Sequence, residues 1–325
     1  MIRLGTRRSL LARTQSGHVG DLIRALGHDV ELVEITSDGD RTQAAGTPLT
    51  GVSSTGVFVS ALRDALLAGE IDVAVHSLKD LPTYPQEGIT LVAIPPREDP
   101  RDVVVARDGL TLGELPQGSR VGTGSPRRAA QIQALGLGLD LVGVRGNVDS
   151  RIGKVRSGEY DAVVLARAGL ARIDRLDEVS EVLDPLQVLP APGQGALAVE
   201  CRADDAALVA LLSGLDDPFT RAAVEAERAV LATLEGGCAA PIGTLAEVVE
   251  GDEGAELWVR AVVLSPDGSL AIRLSATGAV SDAVGVGTRL AEEMLAEGAA
   301  DLNAQPNKGD GSDTAAPELD KVHNA

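Results

Sequence analysis

Three groups of residues in this 325-residue chain could do chemistry. The first is His76-Ser77-Leu78-Lys79-Asp80-Leu81-Pro82, which sets an ammonium beside a carboxylate directly after the apolar run 71–75. A carboxyl group at the carboxyl end of a buried strand suits proton transfer to and from a charged substrate. An exposed loop ion pair is the plainer reading of the same residues. The second group is an arginine series: Arg7, Arg8 and Arg13, then Arg127 and Arg128, then Arg145, Arg151 and Arg172. Ser125-Pro126-Arg127-Arg128 reads as a helix start, with a serine cap and proline in the first turn. Arg145-Gly146-Asn147 repeats that arrangement. Cations at a helix N-terminus oppose its dipole unless an anion is shared, so the series points to a cleft for a polyanionic ligand. The third group is Leu234-Glu-Gly-Gly-Cys238-Ala-Ala-Pro241, a cysteine on a glycine-rich loop just past a helix. A helix C-terminus raises a thiol pKa. Cys238 therefore suits a covalent tether better than a protease-type nucleophile. Burial in packing is the ordinary explanation of a lone cysteine, and Cys201, which follows the apolar run 196–199, receives it.

Stock motifs are missing. There is no GxxxxGK phosphate loop, and Gly122-Thr-Gly124-Ser-Pro-Arg lacks the third glycine of a dinucleotide fingerprint. The four histidines and two cysteines show no zinc-ligand spacing, so no metal is expected. No GxSxG elbow occurs.

The elements that must position these groups follow from periodicity. Strands are expected at 2–5, 30–36 and 71–76, with helices at 8–26 and 56–68; Ser54 or Thr55 caps the second helix and Gly69 stops it. Prolines 82, 85, 95, 96 and 100 interrupt the rhythm. It restarts with strands at 120–122, 139–144 and 161–166 and helices at 126–135 and 148–156, the latter capped by Asn147. Residues 185–195 break it again. Two βαβ sets separated by proline-rich segments imply two doubly wound α/β domains. The last third differs: a helix over 218–234, two strands at 256–264 and 270–276 flanking Ser-Pro-Asp-Gly, and a helix over 282–296. That is a small α+β unit built around a hairpin.

Charge is unevenly spread. The net charge is −19, yet residues 1–175 hold 21 basic and 21 acidic side chains, so the whole excess lies in 176–325. Acidic balance and only five aromatic rings argue against nucleic acid, which repels the one and needs the other for stacking. No apolar run is long enough to span a membrane, no signal peptide is visible, and a cytoplasmic location is expected. Of 29 basic residues, 25 are arginine. Arginine grips carboxylates with a planar fork, although such usage can also reflect genomic composition.

Taken together, these residues resemble the hydroxymethylbilane synthase (porphobilinogen deaminase) family. The resemblance runs from Ile2 to Ala299 on Gly5-Thr-Arg-Arg-Ser9, Gly56-Val-Phe58, Ala74-Val-His-Ser-Leu-Lys-Asp-Leu-Pro82, Arg97-Glu-Asp-Pro-Arg-Asp102, Arg145-Gly-Asn147, Leu189-Pro-Ala-Pro-Gly-Gln-Gly195 and Glu235-Gly-Gly-Cys-Ala-Ala-Pro-Ile-Gly243. It implies a transferase of tetrapyrrole biosynthesis. Such an enzyme joins four porphobilinogen molecules head to tail, releases an ammonia at each coupling and frees hydroxymethylbilane. It does so on a dipyrromethane cofactor held by a thioether, here to Cys238. The resemblance makes Asp80 the catalytic group. It gives Arg7, Arg127, Arg128, Arg145, Arg151 and Arg172 to substrate and cofactor carboxylates, with Ser9, Ser77, Lys79, Thr123 and Ser125 assisting, and places Phe58 near the cofactor. Where many members carry Gly-Lys-Gly this chain has Ser54-Thr55-Gly56, and Gly124 stands where serine is frequent. The implied fold is two periplasmic-binding-protein-like domains, 1–98 with 196–214 and 99–195, then a third at 215–300 bearing the cysteine loop. A disordered tail at 301–325 and a monomeric state complete the expectation. A non-catalytic two-domain anion receptor is the alternative; Asp80, Lys79 and Cys238 together speak against it, because a receptor needs no tether.

Overall fold

The computed structural model of the chain describes residues 1–35, 54–235, 241–251 and 254–303, with side chains left out at 54–58, 235 and 303. The chain begins β1 (Ile2–Thr6), α1 (Leu10–Ala25), β2 (Val30–Glu34), α2 (Ser54–Leu67), β3 (Val73–Ser77) and β4 (Ile89–Ala93). It continues β5 (Asp102–Ala106), β6 (Arg120–Gly122), α3 (Pro126–Ala134), β7 (Asp140–Val142), α4 (Val148–Arg156), β8 (Ala162–Ala166), α5 (Arg167–Arg172) and β9 (Glu181–Val182). Then come β10 (Leu197–Arg202), α6 (Ala206–Leu212), α7 (Pro218–Glu235), β11 (Ile242–Gly251), β12 (Gly254–Leu264), β13 (Ala271–Ala279) and α8 (Ala283–Ala296).

Two five-stranded sheets share one topology. The first has the order β2-β1-β3-β10-β4, the second β7-β6-β8-β5-β9. In each, three strands run parallel and the fourth in the order is antiparallel to its neighbours. That visiting strand comes from the far side of a crossing. Strand β10 follows the second set of elements yet pairs in the first sheet, whereas β5 follows the first set yet pairs in the second. Both faces of each sheet are covered. Val19 and Ile23 of α1 pack on one face of the first sheet with Leu208 and Leu212 of α6; Leu62 and Leu66 of α2 lie on the other. In the second sheet, Ile152 and Val155 of α4 and Ile132 of α3 take opposite faces. Strands buried on both faces must be apolar throughout, as Val73–Val75 and Val163–Leu165 are.

The third unit is an antiparallel sheet, β11-β12-β13, with α7 and α8 on one face. Part of its outer face touches α3: Leu245, Val262 and Leu264 pack with Ala130 and Leu189. The turn between β12 and β13 also reaches α3. Gly268 adopts φ +72°, and a Cβ there would stand 2.3 Å from the Ala130 carbonyl.

The parallel strands and long helices expected from the sequence are present, with ends moved by one to three residues. Strands β4, β5, β9, β10 and β11 were not expected. Four of them adjoin the proline-rich crossings and pair over long sequence distances, which local periodicity does not register. Strand β11 makes the third unit a three-stranded sheet rather than a lone hairpin. The expected disordered tail begins too early, since Ala299–Asn303 form a 3-10 turn packed on the third unit; residues 304–325 lie outside the described residues.

Candidate active site

The first wall of the site grows from β3. Its buried run ends at Ser77, and a 3-10 turn over Leu78–Asp80 follows. Leu78 is fully buried, and its N–H donates to the Ala196 carbonyl at 3.0 Å. That anchor leaves Lys79 half-buried and Asp80 exposed. Asp80 helps line a cavity of about 230 Å³ with Arg7, Ser9, Gln15, His76 and Ser77. Ser9 caps α1, its hydroxyl accepting from the Ala12 N–H at 3.3 Å. Buried Gln15, one turn further along α1, donates through Nε2 to Ser77 Oγ at 2.9 Å.

The second wall grows from β6 and α3. Thr123 is buried at the strand end, and its hydroxyl accepts from the Ser125 N–H at 3.2 Å. Ser125 caps α3, accepting from the Arg128 N–H at 3.5 Å. Arg127 and Arg128 are buried, and each donates to one oxygen of Asp102, at 2.8 and 2.7 Å. Arg127 also donates to the Leu189 carbonyl, and Arg128 to the Val164 carbonyl at 3.0 Å. Burial alone would raise the Asp102 carboxyl, but the two guanidinium charges hold it well below the usual carboxylate range.

Gln194 joins the walls. Its Nε2 donates to Asp102 Oδ1 at 2.7 Å and to the Pro100 carbonyl at 2.6 Å, while its Oε1 accepts from Lys79 Nζ at 3.3 Å. Burial first, and then the Arg128 charge, push the Lys79 ammonium down to about 8, against the pull of Asp80 and Asp102. Arg127 and Arg128 thus share the Asp102 carboxylate, and Lys79 is tied to it through Gln194. The Nε atoms of both arginines are buried without a hydrogen-bond partner. Arg151, whose Nε donates to the Gly146 carbonyl at 2.8 Å, is pushed down by burial and then by Arg128. A cluster of this kind is incomplete without anions: unpaired buried donors are costly, and charged acceptors satisfy them best.

The remaining candidates are placed as follows. Arg172 donates to the Gly195 carbonyl at 2.6 Å, beside Gln194. Among the described residues, Arg145 is exposed in the turn before α4 and takes no part in the Asp102 cluster. Phe58 falls within α2, but its side chain, like all of Cys238, lies outside the described residues. At Gly124, a Cβ would stand 3.0 Å from the Val144 carbonyl, so the glycine keeps this turn tight. No group of three His, Cys, Asp or Glu among the described residues is placed to hold a metal ion, and no described helix is long and apolar enough to cross a membrane. A larger cavity of about 660 Å³ opens between α7 and β11, lined by Phe219, Ala223, Val248 and Val249, and contains none of the candidates.

Sequence reasoning missed Gln15, Asp102, Gln194 and Glu227. Two left a signal. Asp102 heads the apolar run Val103–Val105, and Glu227 sits between Val224 and Val230 on the apolar face of α7. A charge in such a place is almost always paired. Fully buried Glu227 accepts from Arg97 at 2.7 and 3.0 Å, from the Gly193 N–H at 2.6 Å and from the Ala246 N–H at 2.8 Å.

Comparison with known proteins bears on what the arrangement does. Residues 2–210 match the family model of the porphobilinogen deaminase dipyrromethane cofactor-binding domain, and residues 221–296 match that of the porphobilinogen deaminase C-terminal domain. Porphobilinogen deaminase 1 of Streptomyces coelicolor is 58% identical over 311 residues, covering 93% of this chain and 97% of that protein. Porphobilinogen deaminase of Mycobacterium tuberculosis is 58% identical over 307 residues, covering 93% and 98%. The periplasmic aliphatic sulphonate binding protein of Escherichia coli overlays 72% of this chain and 70% of its own at 15% identity and a TM-score of 0.38, too loose a likeness to speak to function.

Proposed function

The chain belongs to the porphobilinogen deaminase family, and on that premise we propose that Asp80 is its acid–base group, that Cys238 carries the cofactor and that the Lys79–Arg128 cluster receives carboxylates. The activity is the family's: a transferase of tetrapyrrole biosynthesis that couples porphobilinogen head to tail into hydroxymethylbilane on dipyrromethane. The alternative of a non-catalytic anion receptor is set aside by that membership. The working division is 1–98 with 196–214, 99–195 and 215–300. The protein acts as a cytoplasmic monomer, with porphobilinogen as its small-molecule partner and neither nucleic acid nor membrane.

The residues fit a dipyrromethane. Each of its pyrroles carries an acetate and a propionate, and the cluster sets two buried guanidiniums on the one Asp102 carboxylate with both of their Nε donors unsatisfied. Arg127, Arg128, Lys79 and Arg151 would hold the carboxylates on one side, with Arg7, Ser9 and Ser77 beside Asp80 on the other. When bound, the cofactor supplies the nucleophilic pyrrole carbon that is extended. The chain's own work is proton transfer and charge placement. As an acid, the Asp80 carboxyl gives its proton to the amine of porphobilinogen, which leaves as ammonia. As a carboxylate it stabilises the cation left on that substrate and takes up the proton released at coupling. The observation that carries this reading is the placement of Asp80 on an anchored turn, at the mouth of a cavity and next to Lys79 of the over-cationic cluster.

Intact mass tests the tether. Protein made in a porphobilinogen-producing host is expected to weigh the chain plus one dipyrromethane, with the adduct mapping to Cys238. The bare-chain mass, or an adduct on Cys201, would overturn the assignment. Cys201 is fully buried, and burial first and then Asp205 push its thiol up to about 11, so it forms little thiolate.

A further inference from the structure

The turn that carries Asp80 is held from outside its own sheet. Arg228, on α7, donates through Nη1 to the Leu78 carbonyl at 3.5 Å and the Leu81 carbonyl at 3.1 Å, and through Nη2 to the Pro82 carbonyl at 2.5 Å. We propose that Arg228 is a positioning residue for Asp80: one guanidinium gathers carbonyls on both sides of Asp80 and fastens the turn to α7. The inference rests on the reading of Asp80 as the acid–base group.

Three observations carry it. The Leu78 carbonyl already accepts from the Leu81 N–H at 3.1 Å within the turn, so the shorter Arg228 contacts to the Leu81 and Pro82 carbonyls carry most of the fastening, and a planar fork can take several carbonyls in one geometry where a single ammonium cannot. Second, Val224 lies four residues before Arg228 on the same helix face, and it packs in one cluster with Leu78 and Leu81. The turn is therefore gripped by an apolar contact and a guanidinium on adjacent helical turns. Third, α7 is a fixed platform. Its Glu227 binds Arg97 and Gly193 of the two crossings and Ala246 of β11. Asp80 itself is exposed, so the backbone around it, rather than side-chain packing, must set where its carboxyl stands. Displacing a reacting group by about 1 Å costs about 100-fold in rate.

The test compares holoenzymes of Arg228→Ala, Arg228→Lys, Asp80→Asn and the Arg228→Ala/Asp80→Asn pair. Arg228→Ala is expected to load dipyrromethane at the wild-type mass and to lose roughly 10- to 100-fold in kcat with KM nearly unchanged. Added guanidinium should restore part of that loss, and Arg228→Lys should fall between. Amide exchange over residues 78–82 should rise in Arg228→Ala and stay unchanged in Asp80→Asn. In the Asp80→Asn background, Arg228→Ala should cost nothing further, because a residue acting through Asp80 has no target left. The proposal is overturned if Arg228→Ala loses activity only in step with its Tm, gains nothing from guanidinium and leaves exchange over 78–82 unaltered. If Arg228→Ala does not accumulate as folded holoenzyme, Arg228→Lys carries the same readouts. Normal turnover by Asp80→Asn, with exchange still raised in Arg228→Ala, would sink the acid–base reading and leave the fastening standing.

Discussion

The first and second sheets are the same topology put to two uses. In each, the visiting antiparallel strand brings a buried carboxylate: Glu200 on β10 and Asp102 on β5. Glu200 pairs in register with Ala74, inside β3, and meets the Arg63 guanidinium at 2.7 and 3.0 Å and His76 Nε2 at 3.3 Å. Asp102 pairs with Ala166, the last residue of β8, and meets two guanidiniums and the Gln194 amide. Register alone moves one ion cluster from within its sheet to the edge where such folds take ligands. At depth the carboxylate is matched by one arginine. At the edge it faces two arginines, and the proposed polycarboxylate would meet the surplus cation there. On the function proposed for Asp80, the second sheet supplies charge and the first supplies the acid, and the Lys79–Gln194 hydrogen bond links them.

The largest expected effects fall on the two buried carboxylates. Removing one partner of a buried pair costs about 3–5 kcal/mol. Asp102→Asn should lose about that much in cofactor-free protein, read by denaturant melts, and distinctly less in holoenzyme, because bound carboxylates then face the same guanidiniums. Glu200→Gln should cost a similar amount equally in both forms. Equal losses for Asp102→Asn with and without cofactor would break the comparison. The Glu200 effect has a pH signature. Burial would raise its carboxyl, but the His76 imidazole 3.3 Å away and the Arg63 guanidinium bring it down to about 2 from 4.5. Its stabilisation is complete above the unfolded value and is lost as pH falls toward about 2. The stability gap between wild type and Glu200→Gln should therefore close across that acid range.

A smaller effect sharpens the link between the sheets. The Lys79 ammonium, lowered to about 8 from 10.5 by burial and Arg128, costs folding below about pH 8, and the cost is relieved as pH rises toward the unfolded value. Its charge is present for binding only below the folded value. The kcat/KM for porphobilinogen should fall several-fold as pH rises through about 8, and Lys79→Met should flatten that limb. An unchanged limb in Lys79→Met would place the titrating group elsewhere.

Much of this was legible in the residues. Caps announced themselves: Ser125, Pro126 and Asn147 begin α3 and α4 where their chemistry says they should. The apolar runs of β3 and β8 form strands where they were expected, and Arg127 and Arg128 stand in the first turn of α3 at the carboxyl end of β6. What was hidden was long-range. Nothing local tells that Leu197–Arg202 returns to pair with β3, 120 and more residues earlier in the chain. The arginines were read as ligand grips alone, whereas Arg127 and Arg128 are first bound to Asp102, a partner that only sheet register brings to them. Glutamines carry no charge pattern, so Gln15 and Gln194 gave no signal until their neighbours were in place.

The role proposed for Asp80 is to move the protons. Asp80→Asn, made in a porphobilinogen-producing host, is its most direct measurement, with intact mass and hydroxymethylbilane release read on one preparation. The expected result is the mass of the chain plus dipyrromethane with turnover reduced by at least about 100-fold. Near-normal release of hydroxymethylbilane from that loaded variant would contradict it.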